Sequence, residues 1–536
     1  MELTLKSITD EKAQWEAAGV VLPTYDIPKL RANTKDNVQW VHFGTGNIFR
    51  DFIAGHANKL LNEGKMNTGI VAVEGFDNEV IDLGYAPYDM LTLSVGLRCD
   101  GGVDLKVQAG IAEAIKASED IKRLWEIAKM PSLQMVSYTI TEKGYVVKGT
   151  DGNATAFAQK DIDNGPEQPV STMGMSAAML YQRYLAGKAP VAFVSMDNCS
   201  GNGDKLKDAV LFIAQKWIEA GKAEAAFIDY LKDESKVCFP CTMIDKITPR
   251  PDTSVAKTLE DKGIKGMQPF KTSKNTFIAP FVNAEIPQYL VVEDKFPNGR
   301  PALQDAGVYM TDRATVEAAE RMKVQSCLNP LHTGLAVTGC LLGFNKISEE
   351  MSDADLKKLP YGLGKEGLEV VCDPGIIKPA DFLNEVLKDR LPNPFLPDTP
   401  QRIACDTSQK VPIRFGQTLR SYVELGREAE LEQVPFVLAA WLRYLSGYDD
   451  NLEQMELSPD PELESLSKRL EGFKPGTEIT DMSVIDELLK ESRYFGLDVT
   501  KYASLTDKVK AYYKKMMSGK GAVREALKEA VKNVNA

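Results

Sequence analysis

No stretch of this 536-residue sequence runs to the roughly 18 apolar residues that a helix needs to cross a bilayer. The richest candidate, VPFVLAAWLRYL, is short and interrupted by Arg443, so it reads as a buried helix. The opening MELTLKSITDEKAQWEAAG is charged, helical in pattern and without the apolar core of a secretory signal. Long basic runs are missing too, and the net charge is -12. Nucleic acid and anionic membrane, which need clustered Lys and Arg, are therefore poor partners. An anionic small molecule needs only one or two local cations and stays open. Cysteine is sparse: eight thiols scattered over the chain point to reduced cysteines in a cytoplasmic protein. Cys238 and Cys241 form a lone C-F-P-C, and without a second ligand pair they read as buried thiols beside a turn. Internal repeats and low-complexity segments are absent as well.

What is present is the composition of a globular protein, 43% hydrophobic and 26% charged, at a length that calls for two domains. Residues 1–36 read as a leading extension of helix and loop. From residue 38, short apolar strands alternate with helices: VQWVHFG, GIVAVE (69–74), MLTLSVGL (90–97), LQMVSYTI (133–140) and PVAFVSM (190–196), the last followed by a helix over about 204–220. That alternation implies a largely parallel sheet covered on both faces. Beyond about residue 300 helical periodicity takes over, in RATVEAAERMK, HTGLAVTGCLLGF, ADFLNEVLKDRL, VPFVLAAWLRYL, VIDELLKESRYF and VREALKEAVKNV. The expected division is therefore an extension (1–36), an α/β dinucleotide-binding domain (37–300) and a mainly α-helical domain (301–536). Candidate residues lie on both sides of residue 300, so a cleft between the domains is the expected site.

In VHFGTGNIFRDF, Gly44 allows a tight turn after the first strand, and Gly46 lets a pyrophosphate approach the backbone at the positive end of the next helix. Asn47 opens that helix. Phe49 stands where a third glycine is usual, so this fingerprint is incomplete. Arg50, one turn in, is placed either to pair with a phosphate or to lie on a solvated helix face. Glu74 ends the second strand, where a carboxylate accepts from adenosine ribose hydroxyls and repels a 2′-phosphate, which favours NAD over NADP. Asp77 is a second acid that could do the same.

The passage RMKVQSCLNPLHTGLAV puts an amine, Lys323, an amide, Asn329, and one of only three histidines, His332, within ten residues. An amine base, an amide and an imidazole can take a proton from an alcohol while hydride leaves the same carbon, chemistry that needs no metal. Asn329-Pro330 reads as an N-cap and first helical residue. His332 then sits in the first turn, where the helix dipole disfavours its protonation. Burial of Lys323 against Met322 and Leu328 would lower its pKa toward a usable base. Taken singly, these are also an ordinary cap, core histidine and surface lysine.

Eight motifs in order carry a resemblance: G-T-G-N-I-F-R (44–50), T-I-T-E-K-G-Y (139–145), S-M-D-N with N-G (195–198, 202–203), M-I-D-K-I-T-P (243–249), V-E-D-K-F-P-N-G-R-P (292–301), the Lys-Asn-His segment, R-I-A-C-D-T-S-Q-K-V-P (402–412) and G-Y-D-D (447–450). From about residue 38 to 461 the chain resembles the polyol-specific long-chain dehydrogenase/reductase family, which includes mannitol 2-dehydrogenase and the fructuronate and tagaturonate reductases. The resemblance implies a Rossmann-type N-terminal domain, a mainly α-helical C-terminal domain and an NAD cofactor. It implies Lys323 as general acid/base, Asn198 and Asn329 as donors to the oxygen that gains charge, and His332 as a further group fixing that oxygen. Asp245, Arg402 and Lys410 match positions lining the substrate pocket. One departure stands out: five residues separate Lys323 from Asn329, where the commoner spacing is four. Either a local bulge absorbs the extra residue or the base is displaced, and a displaced base would fit a non-catalytic nucleotide-binding sensor. Arg402, Lys410 and Arg414 form a cationic group suited to a carboxylate. The motif wording is closest to the uronate branch, so the favoured reaction is D-fructuronate to D-mannonate, ahead of mannitol/fructose and tagaturonate.

Overall fold

A computed structural model describes residues 1–536. They form two compact units, Met1–Arg98 with Gly102–Val316, and Cys99–Gly101 with Glu317–Ala536. The first unit extends past the expected boundary at residue 300 because the strand Tyr309–Thr311 still pairs, in parallel, with Tyr289–Glu293.

Six strands build the central sheet of the first unit: β1 (Trp40–Phe43), β2 (Ile70–Glu74), β3 (Ile111–Lys116), β4 (Met135–Tyr138), β5 (Val191–Ser195) and β6 (Val237–Cys238). Every pairing is parallel and the spatial order is 3-2-1-4-5-6, the doubly wound arrangement of dinucleotide-binding folds. The strands are short and nearly all apolar because both faces are covered. Alternate residues serve opposite faces, as strand geometry requires. Val41, Phe43, Val71, Val73, Val136, Tyr138, Val191 and Phe193 enter one core with the helices Thr172–Leu185 and Asn202–Glu219. Trp40, Ile70, Ala72, Met135, Ala192 and Val194 enter the other, against Phe52, Ile53 and Leu60.

Two segments depart from the sequence expectation. Thr92–Leu97 is a strand, but in a separate four-stranded sheet, antiparallel to Val103–Gln108 and parallel to Phe281–Glu285. Its connection to Val103 is too short for a parallel crossover, so a hairpin was the only solution. The first 36 residues, expected as a leading extension of helix and loop, also contribute a strand and pack into the first unit. Val20–Val21 adds in parallel to Leu105–Lys106, and Trp15 is fully buried with its indole N–H on the Ser7 hydroxyl at 3.1 Å.

The second unit is helical, as the periodicity predicts. Its centre is the helix Gln433–Tyr444, buried at all its positions. Arg443 is buried without a carboxylate because its guanidinium donates to the carbonyls of Met516, Tyr448 and Asp449 and to the Ser446 hydroxyl. Glu366 caps this helix from a neighbouring one, accepting the N–H groups of Glu432, Gln433 and Val434 at 2.5, 2.8 and 2.9 Å. No helix of the structure is long and apolar enough to cross a membrane.

Candidate active site

Consider first the C-terminal ends of β1, β2, β4 and β5, where the strand order reverses and a doubly wound sheet opens its crevice. The chain leaves β1 through Gly44, at φ +99°, with its N–H on the Val73 carbonyl at 3.1 Å. A Cβ at this position would lie 2.2 Å from the Thr139 carbonyl oxygen, so the backbone just after β4 leaves no room for any other residue. Gly46 is different: a Cβ there would meet nothing within 4 Å. The helix starts at Asn47, and the Arg50 N–H closes the first turn on the Gly46 carbonyl at 3.2 Å. Open space over a glycine at a helix start is what a pyrophosphate needs. Asn47 is half-buried, and its Oδ1 has no partner within the chain.

Glu74 reaches back to this turn. Its Oε2 accepts the Thr45 hydroxyl, and its Oε1 accepts the Phe76 and Asp77 N–H groups at 2.7 and 2.9 Å. The carboxylate therefore stands at the end of β2 as expected, held in one orientation beside the glycine turn. Two neighbouring expectations need correction. Arg50 is fully buried, donating to the Thr92 hydroxyl at 3.2 Å and the Ala279 carbonyl at 2.8 Å under the Tyr85 ring, so it ties the helix to the second sheet and does not face a phosphate. Asp77 accepts the hydroxyls of Thr272 and Thr276, each at 2.6 Å, and is spent on anchoring that hairpin.

Asp197, in the S-M-D-N motif, was not singled out from sequence, yet it joins the loops after β4 and β5. Its carboxylate accepts the Ile140 and Thr141 N–H groups at 2.9 Å each and the Tyr145 hydroxyl at 2.5 Å. Burial raises its pKa above the usual range against these donors. Thr141 is thereby held at φ 66° and ψ 159°, a region that is strained for a β-branched residue. Asn202 is buried and clamps the same loop to the next strand, bonding the Asp197 carbonyl at 2.9 Å and the Thr242 N–H at 3.0 Å. Asn198 stands exposed between these two anchors. Asp245 ends the buried strand Thr242–Asp245, opposite Tyr289. The motif letters for Asp197 and Asn202 were readable; that they position Asn198 is a property of the folded loops.

In the second unit, Lys323 is buried and opens a π turn, Lys323–Cys327, at the end of the helix Arg313–Met322. The Leu328 N–H bonds the Lys323 carbonyl at 3.1 Å, five residues back. A π turn holds one residue more than an α turn, so the extra residue between Lys323 and Asn329 is absorbed here. The next helix, Asn329–Leu342, takes Leu328 as its N-cap, with no side-chain capping bond. Asn329 is thus a first-turn residue, one place later than the cap expected of it, and its carboxamide is not used on the helix end. Pro330 and His332 fall in the same turn. Burial pulls the His332 imidazole down to about 4; Asp398 opposes this, and Arg414, Arg390 and Arg402 add to it. Desolvation thus keeps the ring neutral near pH 7, a state the sequence predicts for a different reason, the helix dipole.

The cations gather around this helix. Arg414 donates to the Thr333 hydroxyl at 2.6 Å and the Asn329 carbonyl at 3.3 Å, and burial brings it down to about 10. Lys410 donates to the Ile403 carbonyl at 2.9 Å; burial and the nearby Arg414 both lower its pKa. Arg402 is mostly exposed and paired with Asp398. Two desolvated cations, one of which lowers the pKa of the other, form a place where an anion is favoured. Cys238 and Cys241 are both buried, which pushes their thiols up and leaves them inert.

Known proteins share this layout. The mannitol dehydrogenase Rossmann domain matches residues 38–305, and the mannitol dehydrogenase C-terminal domain matches residues 315–517. A D-mannonate oxidoreductase of Thermotoga maritima is 49% identical over 99% of this chain and 99% of its own. A polyol:NADP oxidoreductase of Gluconobacter oxydans is 27% identical over 86% of this chain and 90% of its own. Among solved structures, the Pseudomonas fluorescens mannitol 2-dehydrogenase in ternary complex with NAD and D-mannitol superposes with a TM-score of 0.71 at 26% identity, covering 99% of this chain and 100% of that one. A substrate-free D-sorbitol dehydrogenase gives 0.78 at 25% identity, covering 96% and 98%. The doubly wound sheet, its glycine turn and the lysine-asparagine-histidine segment thus occur in a chain that belongs to the mannitol dehydrogenase family.

Proposed function

We propose that this protein is an NAD-dependent oxidoreductase interconverting D-fructuronate and D-mannonate. The observation that carries the reading is the 49% identity, over essentially the whole of both chains, to a D-mannonate oxidoreductase. The open space over Gly46 and the Glu74 carboxylate at the end of β2 support a dinucleotide on the first unit. Bound NADH supplies the hydride to the keto carbon. Lys323 in its ammonium form gives a proton to the keto oxygen as that carbon is reduced, and in the reverse direction the neutral amine takes the hydroxyl proton. Asn198 and Asn329 donate amide N–H bonds to the same oxygen, stabilising its developing charge without titrating. His332, neutral near pH 7, adds a third uncharged group. Asp245, Arg402 and Lys410 contact the rest of the substrate. Burial lowers both Lys410 and Arg414, and Arg414 lowers Lys410 further, so a carboxylate-bearing sugar acid that offsets these charges is favoured over a neutral polyol.

The test is NADH oxidation measured in parallel with D-fructuronate, D-tagaturonate and D-fructose. The expected result is the highest kcat/KM for fructuronate, with NADPH a poorer donor. Preference for fructose would move the assignment to mannitol oxidation, and preference for tagaturonate to the other uronate. NADH binding with no turnover of any of the three would leave a nucleotide sensor.

A further inference from the structure

The loop after β2 exposes a side chain that its own rigidity does not explain. Phe76 follows Glu74 by two residues and is 66% exposed. Its backbone is fixed on one side by the Glu74 carboxylate at 2.7 Å. On the other side Asp77 grips Thr272 and Thr276, which belong to the hairpin pairing Phe270–Lys271 with Phe277–Ile278. At the tip of that hairpin, the Lys274 ammonium donates to the Phe76 carbonyl and lies 4.5 Å from the centre of the Phe76 ring. A phenyl ring is thus held out into solvent by two carboxylates and a cation, at the strand end where a doubly wound fold takes the adenosine ribose.

The chemistry of the ribose end sharpens the point. Glu74 has about four lone-pair positions, and three are occupied by Thr45, Phe76 and Asp77. What remains suits one ribose hydroxyl and leaves little further grip on the nucleoside. Adenine is attached to the ribose carbon next to the 2′-hydroxyl, so it falls beside the same acid. A flat apolar surface there supplies the missing hold, since an aromatic ring stacks on a base without needing hydrogen bonds.

We propose that Phe76 is the platform on which the adenine ring of the dinucleotide stacks, and that Lys274 is a positioning residue that holds the phenyl ring in place. This rests on the reading of the chain as an NAD-dependent oxidoreductase and adds the residue that holds the adenosine end.

The experiment titrates NADH into the full chain and into the Phe76→Ala, Phe76→Trp and Lys274→Ala variants. It also measures turnover of the preferred keto sugar with NADH and with reduced nicotinamide mononucleotide, which has no adenosine. Phe76→Ala should raise the NADH Kd about tenfold, within the range of base–aromatic stacking. Its kcat at saturating NADH, and its turnover with the mononucleotide, should stay at wild-type levels. Phe76→Trp should keep wild-type affinity, and Lys274→Ala should show a smaller rise in Kd than Phe76→Ala. An unchanged NADH Kd in Phe76→Ala, or an equal loss with both cofactors, overturns the proposal and leaves the oxidoreductase reading intact. Failure of the unmodified chain to bind NADH overturns both.

Discussion

Gly44 and Gly46 stand two residues apart in one turn, and substituting each by alanine should give opposite signatures. At Gly44 an alanine meets two penalties. Its φ of +99° is a conformation that L-residues disfavour by about 1–2 kcal/mol. Its methyl would also sit 2.2 Å from the Thr139 carbonyl oxygen, which is backbone of the residue after β4 and cannot swing away. Overpacking of that kind costs about 1–3 kcal/mol. Gly44→Ala should therefore destabilise the protein by about 2–5 kcal/mol. At Gly46 neither penalty applies, because its φ is not positive and the added methyl touches nothing within 4 Å. Gly46→Ala should leave the urea midpoint at the wild-type value and weaken NADH binding by at least tenfold, by filling the space the pyrophosphate needs. Tryptophan fluorescence during urea unfolding reads the first quantity, and NADH fluorescence titration the second. Wild-type NADH affinity in Gly46→Ala would mean that the pyrophosphate does not cross this glycine. Wild-type stability in Gly44→Ala would mean that the close approach to Thr139 is not needed.

Three further outcomes follow from the same structure. Lys323→Ala should depress turnover about 10²–10⁴-fold, the contribution of general acid–base catalysis, with the NADH Kd unchanged; full turnover would end the assignment of the base. Arg183 is buried and bonds the carbonyls of Ala128, Met130, Leu133, Ala189 and Pro190. Lysine has three donors, so Arg183→Lys deprives at least two of these carbonyls and should cost about 2–5 kcal/mol in denaturant unfolding; a loss below about 0.5 kcal/mol would contradict this. Glu366 rises from 4.5 to about 7 because burial outweighs its three N–H donors. Folding then favours the protonated acid, so this group's contribution is fully present below pH 4.5 and is lost as pH rises through about 7. The loss amounts to about 3 kcal/mol. Glu366→Gln should flatten the difference in urea midpoint between pH 5 and pH 8, and an unchanged difference in that variant would refute the linkage.

How much of this was legible in the sequence varies by element. Strands flanked by glycine turns, such as Trp40–Phe43 and Ile70–Glu74, could be read because a buried parallel strand is a short apolar run with few alternatives. The helix Gln433–Tyr444 could be read because an apolar surface all round has only a buried solution. Thr92–Leu97 was readable as a strand but not as a member of another sheet, since pairing partners leave no local trace. Arg50 shows the same limit in the site: a helix arginine one turn past a glycine loop looks the same whether its guanidinium faces a phosphate or the Ala279 carbonyl. The six-residue step from Lys323 to Asn329 was visible as an anomaly, but only the Lys323–Leu328 hydrogen bond shows a π turn taking it up. Thr141 and Asp197 were beyond reach because a positive φ at a threonine is imposed by the carboxylate that holds its N–H, not by the threonine.

The helix that presents Asn329 and His332 begins on a leucine. Leucine is among the poorest residues for that role, and a Ser, Thr or Asp there would add about 1 kcal/mol to the helix. The best capping side chain in the segment comes one position later, where it can no longer serve the helix it belongs to. Stability is left unclaimed at this helix start, which makes Leu328 the position at which an engineered gain in thermal tolerance would most directly probe the role proposed for the carboxamide.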